Sequence, residues 1–553
     1  MIYKPIRFGQ KFLPLHLLRD MARIPQGLPP GPAGVPLLGY IPWLSGTPYI
    51  DFHEMRKRYG DMFSVRLGKR WHVVLNGSTS IRRALVENGA ACSGRPNWIL
   101  NRILKGKAVA NEQPDAGWRL HRSFWFSLFR QLGQDKIQHI IKEEVECMKN
   151  ALIKENGQAI DPSGLVKLTF CNIICRFCFG KRYAADDPEF HRLHRNADTY
   201  MQNLAKASRT LPFFGQAEKV FQNILGGYDG IISFIKERIE EHKTMRLRDR
   251  TRSCDDLLDM YFNRTAEAVD EIDHIGILPA AADINMNTTG MYGNRASDQP
   301  NFTKMKEIDE ANLPNIVLDI FVGGLETINA AMLWSLCAMV KYPDVQRRIQ
   351  KEMEDVVGLG LSRLPTIKPI AIYQVQFVIN MQYCLFPATL LEIYRVGNVI
   401  PFAIPHCVTQ PVVLDGYKLP VGTRILANIY GAHMDPKDWR NPELFDPSRF
   451  IDETGKVKIA QAYMPFSVGK RVCMGENLAR KELFVALTTL LHHFEILPAD
   501  DEITPEFDGV AGTTRCPVPF KMRAIRRVNR QTELTDSEML TEITSKNEAI
   551  LMA

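Results

Sequence analysis

The stretch that decides the fold is "FSVGKRVCMGENLAR", Phe466 to Arg480. It sets Cys473 between Gly469 and Gly475, directly after the basic pair Lys470–Arg471. Downstream, Ala479, Leu483, Ala486, Leu487 and Leu490 recur at helical spacing, so an amphipathic helix is predicted to begin at about Gly475. The two glycines permit a tight turn whose backbone N–H groups can point at the sulfur, and Phe466 can shield one side. Nearby positive charge and a helix N-terminus both favour a thiolate. No second cysteine lies close in sequence, so the pattern suits a permanent metal-bound thiolate better than an exchanging thiol. A buried apolar thiol is the alternative.

The rest of the chain bounds what such a thiolate could serve. Its 553 residues, 45% of them hydrophobic and 24% charged, are enough for a large core. The net charge of +7 comes without a Lys/Arg block. It therefore suits an acidic protein partner or an anionic membrane surface, and no nucleic-acid partner is expected. Eleven cysteines, an odd number without a clear secretory signal, point to free thiols in a reducing compartment. The N-terminal 27 residues carry five basic residues against Asp20, and their apolar stretch at Phe12–Leu18 is too short to span a bilayer. They read as a membrane-surface amphipathic helix, with a mitochondrial presequence as the alternative.

"LPPGPAGVPLLGY", Leu28 to Tyr40, is a rigid hinge into the body. Met62–Leu67 and Trp71–Leu75 around "GKR" read as a hairpin. From about Ser80 to Gln350 the pattern is mostly helical, and Val412–Tyr430 returns to strand character. The expected fold class is mostly α with minor β, in one large domain over 28–526. A polar loop is expected over 264–306, and a polar tail over 527–553. Phe321–Val340 is long enough to cross a membrane. However, Glu326 alone would cost about 2.5–3.5 kcal/mol inside a bilayer, so a helix buried in the protein core is predicted.

Within that helix, Gly323 and Gly324 each cost about 1 kcal/mol relative to alanine. A flat ligand against the backbone or close helix packing would explain them, and Glu326 and Thr327 could relay protons beside such a ligand. Glu392 and Arg395 lie three apart on one helix face and can pair, with Arg449 in "FDPSRF" able to close the pair bidentately. Trp118 and Arg122 share a helix face. "CNIICRFC" offers Cys171, Cys175 and Cys178 at an iron–sulfur spacing, but in apolar helical sequence, so three buried thiols are expected.

Phe466, Gly469, Arg471, Cys473 and Gly475 fill the haem-ligating signature of the cytochrome P450 family, and the chain resembles that family from the hinge to about Pro519. The resemblance, closest to the animal microsomal drug- and steroid-hydroxylating branch, implies the P450 fold. It also implies haem b with the Cys473 thiolate as axial ligand. It makes Thr327 and Glu326 the proton-delivery pair, and Glu392, Arg395 and Arg449 a structural network. Arg95, Trp118, Arg122, His406 and Arg471 become the propionate contacts, and Phe321, Val399, Ile400 and Val510 the substrate lining.

The implied activity is O2-dependent monooxygenation of an apolar substrate, whether sterol, fatty acid or xenobiotic. Electrons would come from an NADPH-dependent flavoprotein reductase docking near Lys470, Arg471 and Arg480. The implied location is the cytosolic face of the endoplasmic reticulum, with "LPFFG" near Leu211 as a possible membrane contact. The chain departs from the family in the segment between Pro365 and Glu392, where about ten apolar residues are extra. If they displaced the Glu392 helix, the protein would be a non-catalytic haem binder.

Overall fold

A 29-residue helix, Leu313–Lys341, runs through the centre of the molecule. Apolar side chains are buried on all sides of it, and Pro343 stops it one residue past its cap. By length and composition it could cross a membrane, yet 61% of its most apolar window is buried in the protein, as expected of a core helix. The computed structural model describes residues 23–97, 108–131, 134–210, 214–249, 255–274, 310–357, 384–500 and 505–527. The first 22 residues, most of the polar 264–306 stretch, the "LPFFG" start, the extra residues before Glu392 and the tail after Arg527 lie outside them.

The long helices in chain order are α1 Pro48–Tyr59, α2 Ala116–Gln131, α3 Gln134–Lys154, α4 Ser163–Phe179, α5 Pro188–Thr210 and α6 Phe214–Arg248. They continue as α7 Leu257–His274, α8 Leu313–Lys341, α9 Pro343–Val357, α10 Leu385–Gly397 and α11 Glu476–His493. Helix α7 runs ten residues further than expected, to His274. Its "AEAVDEID" end is polar but rich in good helix formers, so polarity alone mislocated the loop.

The minor β part begins with β1 Met62–Leu67 and β2 Arg70–Leu75, paired antiparallel as predicted, with Gly68 left-handed in the turn. β6 Arg424–Ala427 runs parallel to β2, and β3 His406–Cys407 pairs antiparallel with β6, giving the order β1-β2-β6-β3. Three two-stranded ribbons complete it: β4 Val412–Leu414 with β5 Tyr417–Leu419, β7 Phe494–Pro498 with β10 Met522–Arg526, and β8 Gly509–Ala511 with β9 Arg515–Pro517. The main core lies among α3, α4, α8 and α11, with a second cluster under the four-stranded sheet.

Helix α10 is fixed by buried charge. Glu392 and Arg395 have fully buried side chains and pair bidentately, at 2.7 and 2.8 Å. Arg449 adds Nε to Glu392 Oε1 at 3.0 Å, and the Asp446 N–H reaches the same oxygen at 2.8 Å. Arg395 spends its remaining donors on the carbonyls of His433, Pro442 and Leu444, and its guanidinium lies over the Trp439 ring. The helix carrying Glu392 therefore stands in its network despite the long segment before it. Removing one partner strands a buried charge, so Glu392→Ala is expected to lose about 3–5 kcal/mol of stability, read by urea unfolding.

Candidate functional site

The Cys473 loop is built by close approach. Its sulfur is reached by the backbone N–H groups of Gly475 and Glu476, the first residues of the turn into α11. The Cys473 N–H donates to Phe466 O at 3.0 Å, which closes the loop on itself. Gly469 has φ +78°, and a β-carbon there would sit 1.9 Å from Leu85 O, so no other residue fits. Phe466 packs beside Tyr394, 5.1 Å between rings, under the Arg480 guanidinium.

Cys473 is exposed at its surface, yet protein surrounds it so completely that burial pushes its thiol up, against the pull of the Gly475 N–H and Arg122. Both observations hold together where a residue faces an interior cavity. The central helix shows the same signature. Asp319 is half-buried and Gly323 exposed, four apart on one face of α8, although the helix lies in the core. Burial lifts the Asp319 carboxyl to about 7, against the Ala110 N–H and Arg95.

The two adjacent glycines of α8 divide the explanations offered for them. Nothing lies within 4 Å of a β-carbon built on Gly323, so this glycine bares the helix backbone to the cavity. On Gly324 the same atom would press on the end of the Ile174 side chain of α4 at 2.8 Å, so this glycine sits at a close helix–helix contact. Thr327 is on the bared side, with Oγ1 donating to Gly323 O at 2.7 Å. Glu326 turns toward Lys167 of α4, Asp198 of α5 and Cys516 of β9. Burial raises its carboxyl, Asp198 adds to the rise, and Lys167 opposes it.

A positive cluster lines the cavity beside the loop. Arg471 lies over the Trp118 ring at 3.9 Å, and Arg122 lies over it at 5.7 Å. Arg471 donates to the carbonyls of Ser93, Val109 and Glu112, and Arg122 to that of Val472. Arg95 spends Nε on Ala110 O and Nη1 on Ile404 O and Pro405 O, leaving Nη2 without an acceptor among the described residues. His406 donates Nδ1–H to Cys92 O at 2.9 Å, the only role open to it against a carbonyl.

Burial and mutual repulsion push Arg471 down to about 8, Arg95 to about 9 and His406 to about 3. A guanidinium stays charged, so these shifts reflect positive charge crowded into the interior, which Glu112 and Asp319 only partly offset. Trp118 donates its indole N–H to Val109 O and contributes its ring face to the cluster.

Phe321 and Arg480 stand elsewhere than expected. The Phe321 ring is fully buried 6.2 Å from that of Phe179, in the core between α4 and α8. Val399 and Ile400 are half-buried and adjoin β9 through the Arg515 N–H to Val399 O bond. Val510, 52% exposed, pairs with Cys516 beside Glu326. Of the three basic residues expected on a docking face, Lys470 alone is exposed. Arg471 turns inward onto Trp118, and Arg480 pairs with Glu476 and covers aromatic rings. Cys171, Cys175 and Cys178 are buried on α4, and burial drives the Cys175 and Cys178 thiols well up, against cluster ligation. Asp319 was missed, although an acid one turn before Gly323 in an apolar run was a usable signal.

Comparison with known proteins agrees with this geometry. The cytochrome P450 family model matches residues 29–523. The chain is 32% identical to rabbit cytochrome P450 2B4 over 532 residues, covering 93% of this chain and 97% of that protein. Identity is 30% to Drosophila melanogaster cytochrome P450 18a1, over 90% and 87%, and 30% to human cytochrome P450 2U1, over 91% and 90%. The chain belongs to the cytochrome P450 family and is an oxidoreductase, a monooxygenase. Membership implies haem with a cysteine thiolate ligand, and the donor set fits that group: one thiol held by backbone N–H groups, a helix backbone bared at Gly323, and three clustered arginines suited to two carboxylates.

Gly323→Ala is expected to be tolerated in thermal unfolding, whereas Gly324→Ala should be less stable than it by about 1–3 kcal/mol through overpacking against Ile174. The raised Asp319 binds its proton more tightly folded than unfolded, so its contribution falls as pH rises from the ordinary carboxylate value to about 7. Asp319→Asn should remove that part of the slope when stability is measured across the range.

Proposed function

We propose that the protein is a haem-thiolate monooxygenase that inserts one oxygen atom of O2 into a small apolar substrate (a sterol, fatty acid or xenobiotic), with electrons from an NADPH-dependent flavoprotein reductase. The observation that carries this is Cys473, held by N–H groups beside Arg122 of a cation cluster that Asp319, one turn before the bared Gly323, joins to the central helix. Haem b, when bound, supplies oxygen activation, which a thiolate ligand promotes by donating electron density.

Cys473 is the ligand, and Phe466, Gly469 and Gly475 shape its loop. Arg95, Arg122, His406 and Arg471 neutralise the propionates, with Trp118 as the face that aligns two of the guanidiniums. Thr327 presents a hydroxyl to the cavity, and Glu326, which burial keeps protonated to higher pH than usual, holds a proton beside the partly exposed Lys167–Asp198 pair. Glu392, Arg395 and Arg449 support the core. The apolar lining at Val399, Ile400 and Val510 suits an apolar substrate.

The basic N-terminal segment supports attachment to the cytosolic face of the endoplasmic reticulum, and the monooxygenase domain is assigned to 28–526. The assembled Glu392 network argues against a non-catalytic haem binder.

The test is the CO difference spectrum of the reduced protein. A Soret band at the thiolate-haem position is expected in the wild type and should be lost in Cys473→Ser. Its absence from the wild type would refute the reading.

A further inference from the structure

The hairpin β8–β9 is held at its first β9 residue. The Arg515 N–H donates to Val399 O at 2.8 Å, and the Arg515 carbonyl accepts from Trp334 Nε1 at 3.0 Å. Its guanidinium lies over the Trp334 indole, 4.6 Å from the centroid. Nη1 donates to Val396 O at 2.8 Å and to Gly397 O at 2.7 Å. These are the last two carbonyls of α10, which have no partner within the helix and carry the negative end of its dipole.

The fit is tight on both sides. A β-carbon on Gly397 would press on the Trp334 ring at 3.0 Å, and one on Gly509 would meet Arg515 Nε at 2.3 Å. Arg515 is 8% exposed. Among the described residues no carboxylate lies within ion-pair distance of it, so the helix end and the indole stabilise its charge. From the same hairpin Val510 stands out opposite Cys516, and Thr513 Oγ1 donates to Met201 O of α5 at 2.9 Å.

We propose that Arg515 is a positioning residue for substrate selection. It fixes the β8–β9 hairpin, and with it Val510, as one wall of the cavity, so its loss changes which size of ligand the cavity accepts. This rests on the reading of the cavity as an apolar-substrate site. Neither the Cys473 loop nor the Glu392 network touches the guanidinium, so haem retention and cavity shape are separable.

The test compares the full-length wild type with Arg515→Ala and Arg515→Lys. Hydrogen exchange reports the hairpin directly, and the affinities of imidazole and 4-phenylimidazole, read from the Soret shift, report cavity size. In Arg515→Ala, exchange over 505–520 should quicken while α10 keeps its protection. The ratio of the two affinities should move by about tenfold, the low end of what one methylene of misfit makes in an apolar pocket. Arg515→Lys should fall between, since it keeps a charge for the carbonyls but loses the planar stack on Trp334.

An unchanged ratio, or equal weakening of both probes, overturns the proposal, because a merely structural residue would do the same. If Arg515→Ala does not retain haem, Arg515→Lys is judged by the same two measurements. If neither retains it, haem retention and the hairpin anchor are not separable, and the proposal is overturned. A wild type that binds no haem would instead refute the functional reading, and the exchange result would still be readable.

Discussion

The buried pairing of Glu392 with Arg395 and Arg449 is the constraint on which the rest depends. Neither sign can be left alone in the core, where a stranded charge costs several kcal/mol. The elements they join, α10 and the segments around His433 and Arg449, therefore have one arrangement. The lock extends to the cysteine loop through His433, whose Nε2 accepts the Met464 N–H at 3.0 Å, two residues before Phe466. Burial keeps this imidazole neutral, with its value driven to about 3, so the nitrogen stays free to accept. A set of charges distant from the cavity thus sets where the thiol stands.

The cavity side is balanced in the opposite sense. Arg95, Arg122 and Arg471 are crowded together and satisfied mainly by carbonyls, and each depresses the others or His406. An interior that tolerates such repulsion is arranged for an anion, just as the Gly323 backbone is arranged for a flat surface. Asp319 ties the two halves: it accepts the Ala110 N–H at 2.8 Å, while the neighbouring carbonyls of Val109 and Ala110 accept from Arg471, Trp118 and Arg95. One short stretch of backbone thereby joins the central helix to the cations.

Legibility in the sequence followed how local each interaction was. The cysteine loop could be read because its glycines, flanking charge and helix start lie within fifteen residues, and β1–β2 because its strands adjoin their turn. The Glu392–Arg395 spacing was visible, but its meaning came only with Arg449 and a family pattern. Phe321 was misplaced because periodicity gives a helix face without saying which neighbour, α4 or the cavity, that face meets. Arg480, and Arg471 in its docking role, looked like surface charge, since nothing in the sequence shows Phe466 or Trp118 waiting to cover them. Gly323 and Gly324 are adjacent letters with different neighbours, a distinction only the packed structure can draw.

Helix α10 then appears as the element shared by stability and selection. Its middle turn holds the buried charges through Glu392 and Arg395, and its last turn offers Val396 O and Gly397 O to Arg515. Asn398, left-handed with φ 42°, ends the helix and turns the chain toward Val399, whose carbonyl takes the Arg515 N–H. Because the second half of this short helix is fixed by Arg395, Arg449 and Arg515, a shift along its axis would break the buried charge pairing and the hairpin contact together. A rigid α10 leaves the Arg515 anchor as the place where the β8–β9 hairpin can shift without breaking the Glu392 pairing or the hydrogen bonds of the thiol loop.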